Sequence, residues 1–156
     1  MVAIDRRGAG DSEGEARDAV VGEGGRYDVE AAVLRLVADG YTRVSLLGAS
    51  NGTTSLIDYA AFAQGEGLPE PVSLGYLSGG SYTTTNTRMD EVPVLPSLFV
   101  YGDGDADWAE SLEADNPPSA WQFKHVVGGG HGTDLLARVD RAETVDALVA
   151  FFGVAR

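Results

Sequence analysis

Short apolar runs alternate with amphipathic stretches along this chain, a pattern that predicts βαβ units and a parallel sheet. Val2 to Asp5 reads as a short strand running into a glycine loop, and residues 8–25, rich in Gly, Asp and Glu, read as loop. Asp28 is placed to cap a helix whose apolar stripe is Val29, Ala32, Val33, Leu36 and Val37, with Gly40 as its stop. Arg43 to Ala49 predicts a buried strand. A helix follows from about Asn51 with Leu56, Ile57, Ala60 and Ala61 on one face, ended by Gly65 and Gly67. Val72 to Leu77 and Val94 to Tyr101 predict two more strands, separated by the polar stretch that begins at Ser78. Residues 108–115 predict a short helix stopped before Pro117-Pro118. Trp121 to Val127 alternates like a strand, and Asp140 and Glu143 stand in capping-box spacing before a last helix with Val145, Leu148, Val149 and Phe152 on one face.

The sharpest chemical signal is Gly48-Ala49-Ser50-Asn51-Gly52, between an apolar strand and an amphipathic helix. In that setting G-x-S-x-G is a strained strand-to-helix turn that pushes one side chain beyond the sheet's edge, with flanking glycines letting the backbone crowd. The Asn51 backbone N–H, at the helix start, then faces a developing oxyanion at Ser50. The rival reading is an ordinary turn with a capping serine. Ser12, Ser78 and Ser81 also lie in loops but have no such turn around them, and they read as turn or capping serines.

This turn resembles the nucleophile elbow of the α/β-hydrolase superfamily, and three further segments match in order. Asp5 to Ser12 (DRRGAGDS) resembles the D-x-R-G-x-G-x-S segment after the family's fourth strand. Gly102-Asp103-Gly104-Asp105 resembles the G-x-x-D after the seventh, and Gly130-His131-Gly132 resembles the histidine loop after the eighth. The resemblance implies an α/β fold, a mostly parallel sheet with helices on both faces, truncated at the N-terminus to strands four to eight. It implies a triad of Ser50 as nucleophile, Asp105 as acid and His131 as base, in the chain order this fold uses. Asp103 and Asp107 compete with Asp105, but only Asp105 fits the spacing after Gly102. His125, the other histidine, falls within the strand WQFKHVV.

Composition narrows the picture. The chain has 156 residues, enough for a single domain. Its formal net charge of −13 argues against nucleic acid and anionic membranes as partners. With no cysteine, thiolate metal sites, disulfides and a cysteine nucleophile are excluded. No apolar run reaches the roughly 18 residues of a membrane span, and the first residues do not read as a signal peptide; the location stays unknown, with cytoplasmic only as the default, since a signal peptide could lie upstream of Met1. Asp103, Asp105 and Asp107 have the spacing of a calcium loop, but Trp108 and Ala114 occupy the positions that need Gly and Glu. The glycine clusters at 22–25 and 128–130 lack a dinucleotide-binding context.

The expected function is therefore a cofactor-free and metal-free serine hydrolase acting on a carboxylic ester or related acyl substrate, a small molecule, through an acyl-enzyme. The alternative is a non-catalytic, hydrolase-like fragment or interaction domain. About fifteen residues, 79–93, separate the strands where members of the superfamily often carry a lid, so the site is expected to be open, with Tyr82, Met89 and Trp108 as candidate walls. Because Val2 to Asp5 aligns with the family's fourth strand, the chain is expected to be the C-terminal part of a larger domain. The third-strand loop, which supplies the second oxyanion donor in the family, then has no counterpart.

Overall fold

A computed structural model describes residues 1–20, 24–79, 89–137 and 141–154. Its centre is a four-stranded sheet, β1 Ser45–Ala49, β2 Ser73–Leu77, β3 Ser97–Gly102 and β4 Trp121–Val126, in the order β1-β2-β3-β4. Every pairing is parallel, from Ser45 beside Ser73 to Gly102 beside Val126. Four α-helices connect and flank the strands: α1 Gly24–Ala38, α2 Asn51–Glu66, α3 Ala106–Ala114 and α4 Arg141–Val154.

The apolar pattern assigns the two faces. In β2 and β3, Leu74, Tyr76, Phe99 and Tyr101 point to one side, where Ile57 and Ala60 of α2 and Ala109 of α3 meet them. Phe99 is fully buried and stacks between Tyr76 at 4.7 Å and Phe123 at 4.8 Å. The alternate residues Leu77, Leu98, Val100 and Val126 face the other side, closed by Phe151 and Phe152 of α4 and by Leu135. Helix α1 lies outside α2, its Val29 and Val33 packed with Leu56 and Tyr59. Strands buried on both faces lose the period-two alternation of half-exposed ones, which is why β2 and β3 read as continuous apolar runs.

The strand expected to be buried at Arg43 to Ala49 forms as β1, but it is largely exposed or half-buried, and three further expectations need correction. Val2 to Asp5 is not a strand: Val2 and Ile4 are 57% and 43% exposed, and the segment has no ladder partner. Its backbone turns back on itself instead, with Ser12 Oγ donating to the Asp5 carbonyl and Gly8 N–H to that of Glu13. Arg7 then ties it to Asp28 by its backbone N–H and its guanidinium at 2.9–3.1 Å. That anchor sets the segment against α1 rather than beside β1, whose outer edge pairs with no other strand among the described residues. Among the described residues the sheet therefore has four strands, without the additional first strand expected at Val2 to Asp5. Second, Asp28 does not cap α1, which begins four residues earlier at Gly24; its carboxylate is used by Arg7. Third, Gly65 lies inside α2, and Gly67 alone ends it, in the left-handed conformation at φ +66°. The capping residue expected at Asp140 lies outside the described residues.

Candidate active site

The three strand ends that carry Ser50, Asp105 and His131 lie on one edge of the sheet, the edge where open parallel sheets form their sites. Ser50 sits between β1 and α2 with φ +50° and ψ −125°, a conformation that L-residues rarely adopt and that costs about 1–3 kcal/mol. Its neighbours hold it there. The Ser50 N–H donates to the Leu77 carbonyl at 2.9 Å, and its own carbonyl accepts from both the N–H and the hydroxyl of Thr53, at 2.9 and 2.7 Å. Thr53 is fully buried. The signal for it in the sequence is local: a threonine three residues on can bond back to a carbonyl.

The two glycines of the motif are not equivalent. A side chain at Gly48 would come within 2.7 Å of the Gly52 carbonyl and 2.9 Å of Leu56 Cδ1, so the closeness of strand and helix requires a bare backbone there. A side chain at Gly52 would meet nothing within 4 Å, and its φ is not in the left-handed region. The expected crowding therefore holds on the strand side only.

Asp105 ends a short 3₁₀ turn, Asp103–Asp105, between β3 and α3. It occupies the N-cap position of α3, yet its side chain makes no cap bond. Both carboxylate oxygens instead lie 2.9 Å from His131 Nδ1. His131 Nε2 is 2.7 Å from Ser50 Oγ. A carboxylate only accepts, so Nδ1 carries the proton, and in the neutral ring Nε2 is left to accept from the serine hydroxyl. The Asp105 side chain is 14% exposed and that of His131 47% exposed, so the carboxylate is sheltered while the imidazole faces solvent. Gly132, at φ +57°, lets the chain turn beside Ser50 and lead into the 3₁₀ turn Gly132–Leu136. Asn51 is the first residue of α2, where a backbone N–H has no acceptor within the helix.

The remaining candidates are placed elsewhere. His125 bonds Asp103 through Nε2 at 2.7 Å and stacks on Tyr101, so the two histidines use different aspartates. Hydrogen bonding from the Gly128 amide and from His125 holds the Asp103 carboxyl below its ordinary range. Asp107 is exposed on α3. Met89 is buried in the core, and Trp108 stands edge-on to Tyr76 and Phe99 in the space left by the bare Gly79. Both therefore pack in the core. Tyr82 and Ser81 lie outside the described residues, and Ser78, also at positive φ, is fully buried at the end of β2. A hollow of about 610 Å³ opens between the N-terminal segment and α1, lined by Asp5, Arg7, Glu13, Asp18 and Asp28 among others, and includes no member of the Ser50–His131–Asp105 set.

A parallel sheet with helices on both faces, a strained serine at a strand-to-helix turn, and later strand ends bearing an aspartate and a histidine together define the α/β-hydrolase fold. Solved structures share it. A lipase-esterase related protein from Clostridium acetobutylicum superposes with TM-score 0.65 at 12% identity, over 94% of this chain and 81% of its own. A predicted CIB-like hydrolase from Thermoplasma acidophilum gives TM-score 0.66 at 20% identity, over 93% of this chain and 67% of its own. A mutant of the esterase E40 gives TM-score 0.58 at 19% identity, with this chain spanning 58% of its length. No family model and no curated protein matches the sequence.

Proposed function

We propose that this chain is a serine hydrolase of carboxylic esters or related acyl compounds. The observation that carries the reading is the continuous relay from Asp105 through His131 to Ser50, with contacts of 2.9 and 2.7 Å. His131 Nε2 takes the proton of Ser50 Oγ as the oxygen attacks the acyl carbonyl. The Asp105 carboxylate stabilises the imidazolium that results, and the Asn51 N–H faces the oxyanion. Collapse expels the alcohol, which takes the proton from His131 and leaves an acyl-Ser50 ester. Water, deprotonated by the same imidazole, then releases the acid and regenerates the serine. The names of the structural neighbours, esterases and lipase-related proteins among them, favour an ester over other acyl substrates. The half-exposed His131 favours small or flexible esters that need no deep tunnel.

The same reading treats these residues as the C-terminal part of a larger hydrolase domain. The outer edge of β1, unpaired among the described residues, and the 44% exposure of Leu47 support it, because a further strand and helix would cover both. Pre-steady-state hydrolysis of a chromogenic aryl ester tests the chemistry. A burst of one alcohol equivalent per chain, absent in Ser50→Ala, is the expected result. Steady hydrolysis that Ser50→Ala leaves unchanged would refute it.

A further inference from the structure

The loop that delivers His131 is anchored at a second place, by a pair of residues outside the Ser50–His131–Asp105 set. β4 ends at Val126, and the chain turns at once: the Gly129 N–H donates to the Val126 carbonyl at 2.8 Å, with Gly128 at φ +73° inside the turn. Val127, at the tip, is 79% exposed and offers no packing to hold the turn. The Gly128 N–H donates to Asp103 Oδ2 at 3.1 Å, and Asp103 Oδ1 accepts from His125 Nε2 at 2.7 Å. His125 is itself fixed, its ring stacked 5.1 Å from Tyr101 at an interplanar angle of 7°. Gly102 and Gly129 pass so closely that a side chain at Gly102 would collide with the Gly129 carbonyl. The 3₁₀ turn Asp103–Asp105 thus grips the histidine loop twice, at Gly128 through its first residue and at His131 through its last.

We infer that Asp103, held by His125, is a positioning residue for His131: it sets the height of the loop from Gly128 to His131, so that Nδ1 meets Asp105 and Nε2 meets Ser50. The inference rests on the triad reading above, but it concerns a residue outside the triad. Three features carry it. Two N–H donors converge on one carboxylate, and a charged acceptor binds them more strongly than a neutral one would. The low position of the Asp103 ionisation keeps that carboxylate charged at neutral pH. The distance available for error is small, since a displacement of about 1 Å at the reacting atoms costs roughly 10²-fold in rate. The far end of the loop is already fixed by the fully buried Leu135, so freedom at Gly128 passes to the residues between, His131 included.

The test compares Asp103→Ala, Asp103→Asn and His125→Phe with the unaltered chain, using kcat and KM on an aryl ester and the downfield NMR resonance of the His131 Nδ1 proton. That resonance reports the bond to Asp105 and is read without turnover, so the positioning claim is judged even if the ester is not a substrate. Asp103→Ala is expected to lower kcat about tenfold, below the full cost of a 1 Å misplacement, with KM changed less than about threefold, and to broaden or shift the Nδ1 resonance. Asp103→Asn, which keeps an oxygen for the Gly128 N–H, is expected to recover part of both. His125→Phe keeps a ring against Tyr101 but removes one donor, and it is expected to shift the resonance in the same direction by a smaller amount. An Asp103→Ala protein with unchanged kcat and an unchanged resonance overturns the inference. If Asp103→Ala does not fold, an unchanged resonance in both Asp103→Asn and His125→Phe overturns it equally.

Discussion

Replacing Asp105 by asparagine keeps the size of the side chain and removes its charge. In the structure both carboxylate oxygens stand 2.9 Å from His131 Nδ1, so the ring has one way to bond: Nδ1–H donates and Nε2 accepts from Ser50. An asparagine offers an oxygen and an NH₂ to the same point. Where the NH₂ turns inward, Nδ1 must accept, Nε2 carries the proton, and the serine loses its base. Where the oxygen turns inward, the tautomer is right but no anion balances the imidazolium formed in the transition state. Both losses act on the chemical step, and for the same change in other triads the fall in kcat is about 10⁴-fold. At about 1.36 kcal/mol per tenfold, that is roughly 5.4 kcal/mol of transition-state stabilisation. Ground-state binding is untouched, so KM is expected to stay within a few-fold. The assay is steady-state hydrolysis of an aryl ester by Asp105→Asn, Asp103→Asn and Asp107→Asn, with thermal unfolding of each as a control. Asp105→Asn is expected to be the most damaging by at least two orders of magnitude. If Asp107→Asn is the worst of the three, or Asp105→Asn keeps more than a few per cent of wild-type kcat, the assignment of the acid fails.

Two further expectations concern the scaffold. Gly48→Ala places a methyl against the Gly52 carbonyl and Leu56 and is expected to destabilise by about 1–3 kcal/mol, whereas Gly52→Ala, with open space around it, is expected to leave stability equal or slightly raised; chemical denaturation of the pair checks both, and an equal loss in the two would refute the asymmetry. Burial, with a smaller effect of Glu30, pushes the Tyr59 phenol up to about 12 from an ordinary 10.0, and its hydroxyl donates to the Pro69 carbonyl at 2.6 Å. The folded state therefore binds this proton more tightly than the unfolded one, and the stability it contributes is full below pH 10 and lost as the pH rises from 10 toward 12. Phenolate absorbance and unfolding signal recorded together should show Tyr59, and the fully buried Tyr76, ionising with unfolding; Tyr59→Phe should flatten part of that loss, and an unaltered alkaline limb would contradict the account.

Much of the sheet was legible because its signal is local and physical. The runs around Leu46, Leu74, Phe99 and Phe123 are apolar enough to predict strands, and the helical segments predicted after the first and third of them suit parallel crossovers. The elbow was legible because it combines a strand, a helix start and a glycine whose absent side chain the packing demands. What was not legible depends on partners distant in the chain. Val2 and Ile4 have strand-forming side chains, but a strand exists only where another strand meets its backbone groups, and the grip of Arg7 on Asp28 holds this segment elsewhere. Asp28 looked like a helix cap for the same reason: a short acid near a helix start suits either role, and only the position of Arg7 decides. The second anchor of the histidine loop was hidden in a competition among acids. Asp103 competes with Asp105 in the sequence, and the structure gives it a different histidine and a backbone amide just past the neighbouring strand.

The central claim is that Ser50 is a nucleophile activated by His131. Its most direct test is labelling of the intact chain with a fluorophosphonate, followed by mass spectrometry of the whole protein and of its peptides. The account predicts one adduct per chain, on Ser50, lost in Ser50→Ala and slowed by orders of magnitude in His131→Ala. A folded chain that takes no label, or one labelled at Ser12 or Ser78 with Ser50 unmodified, would contradict it.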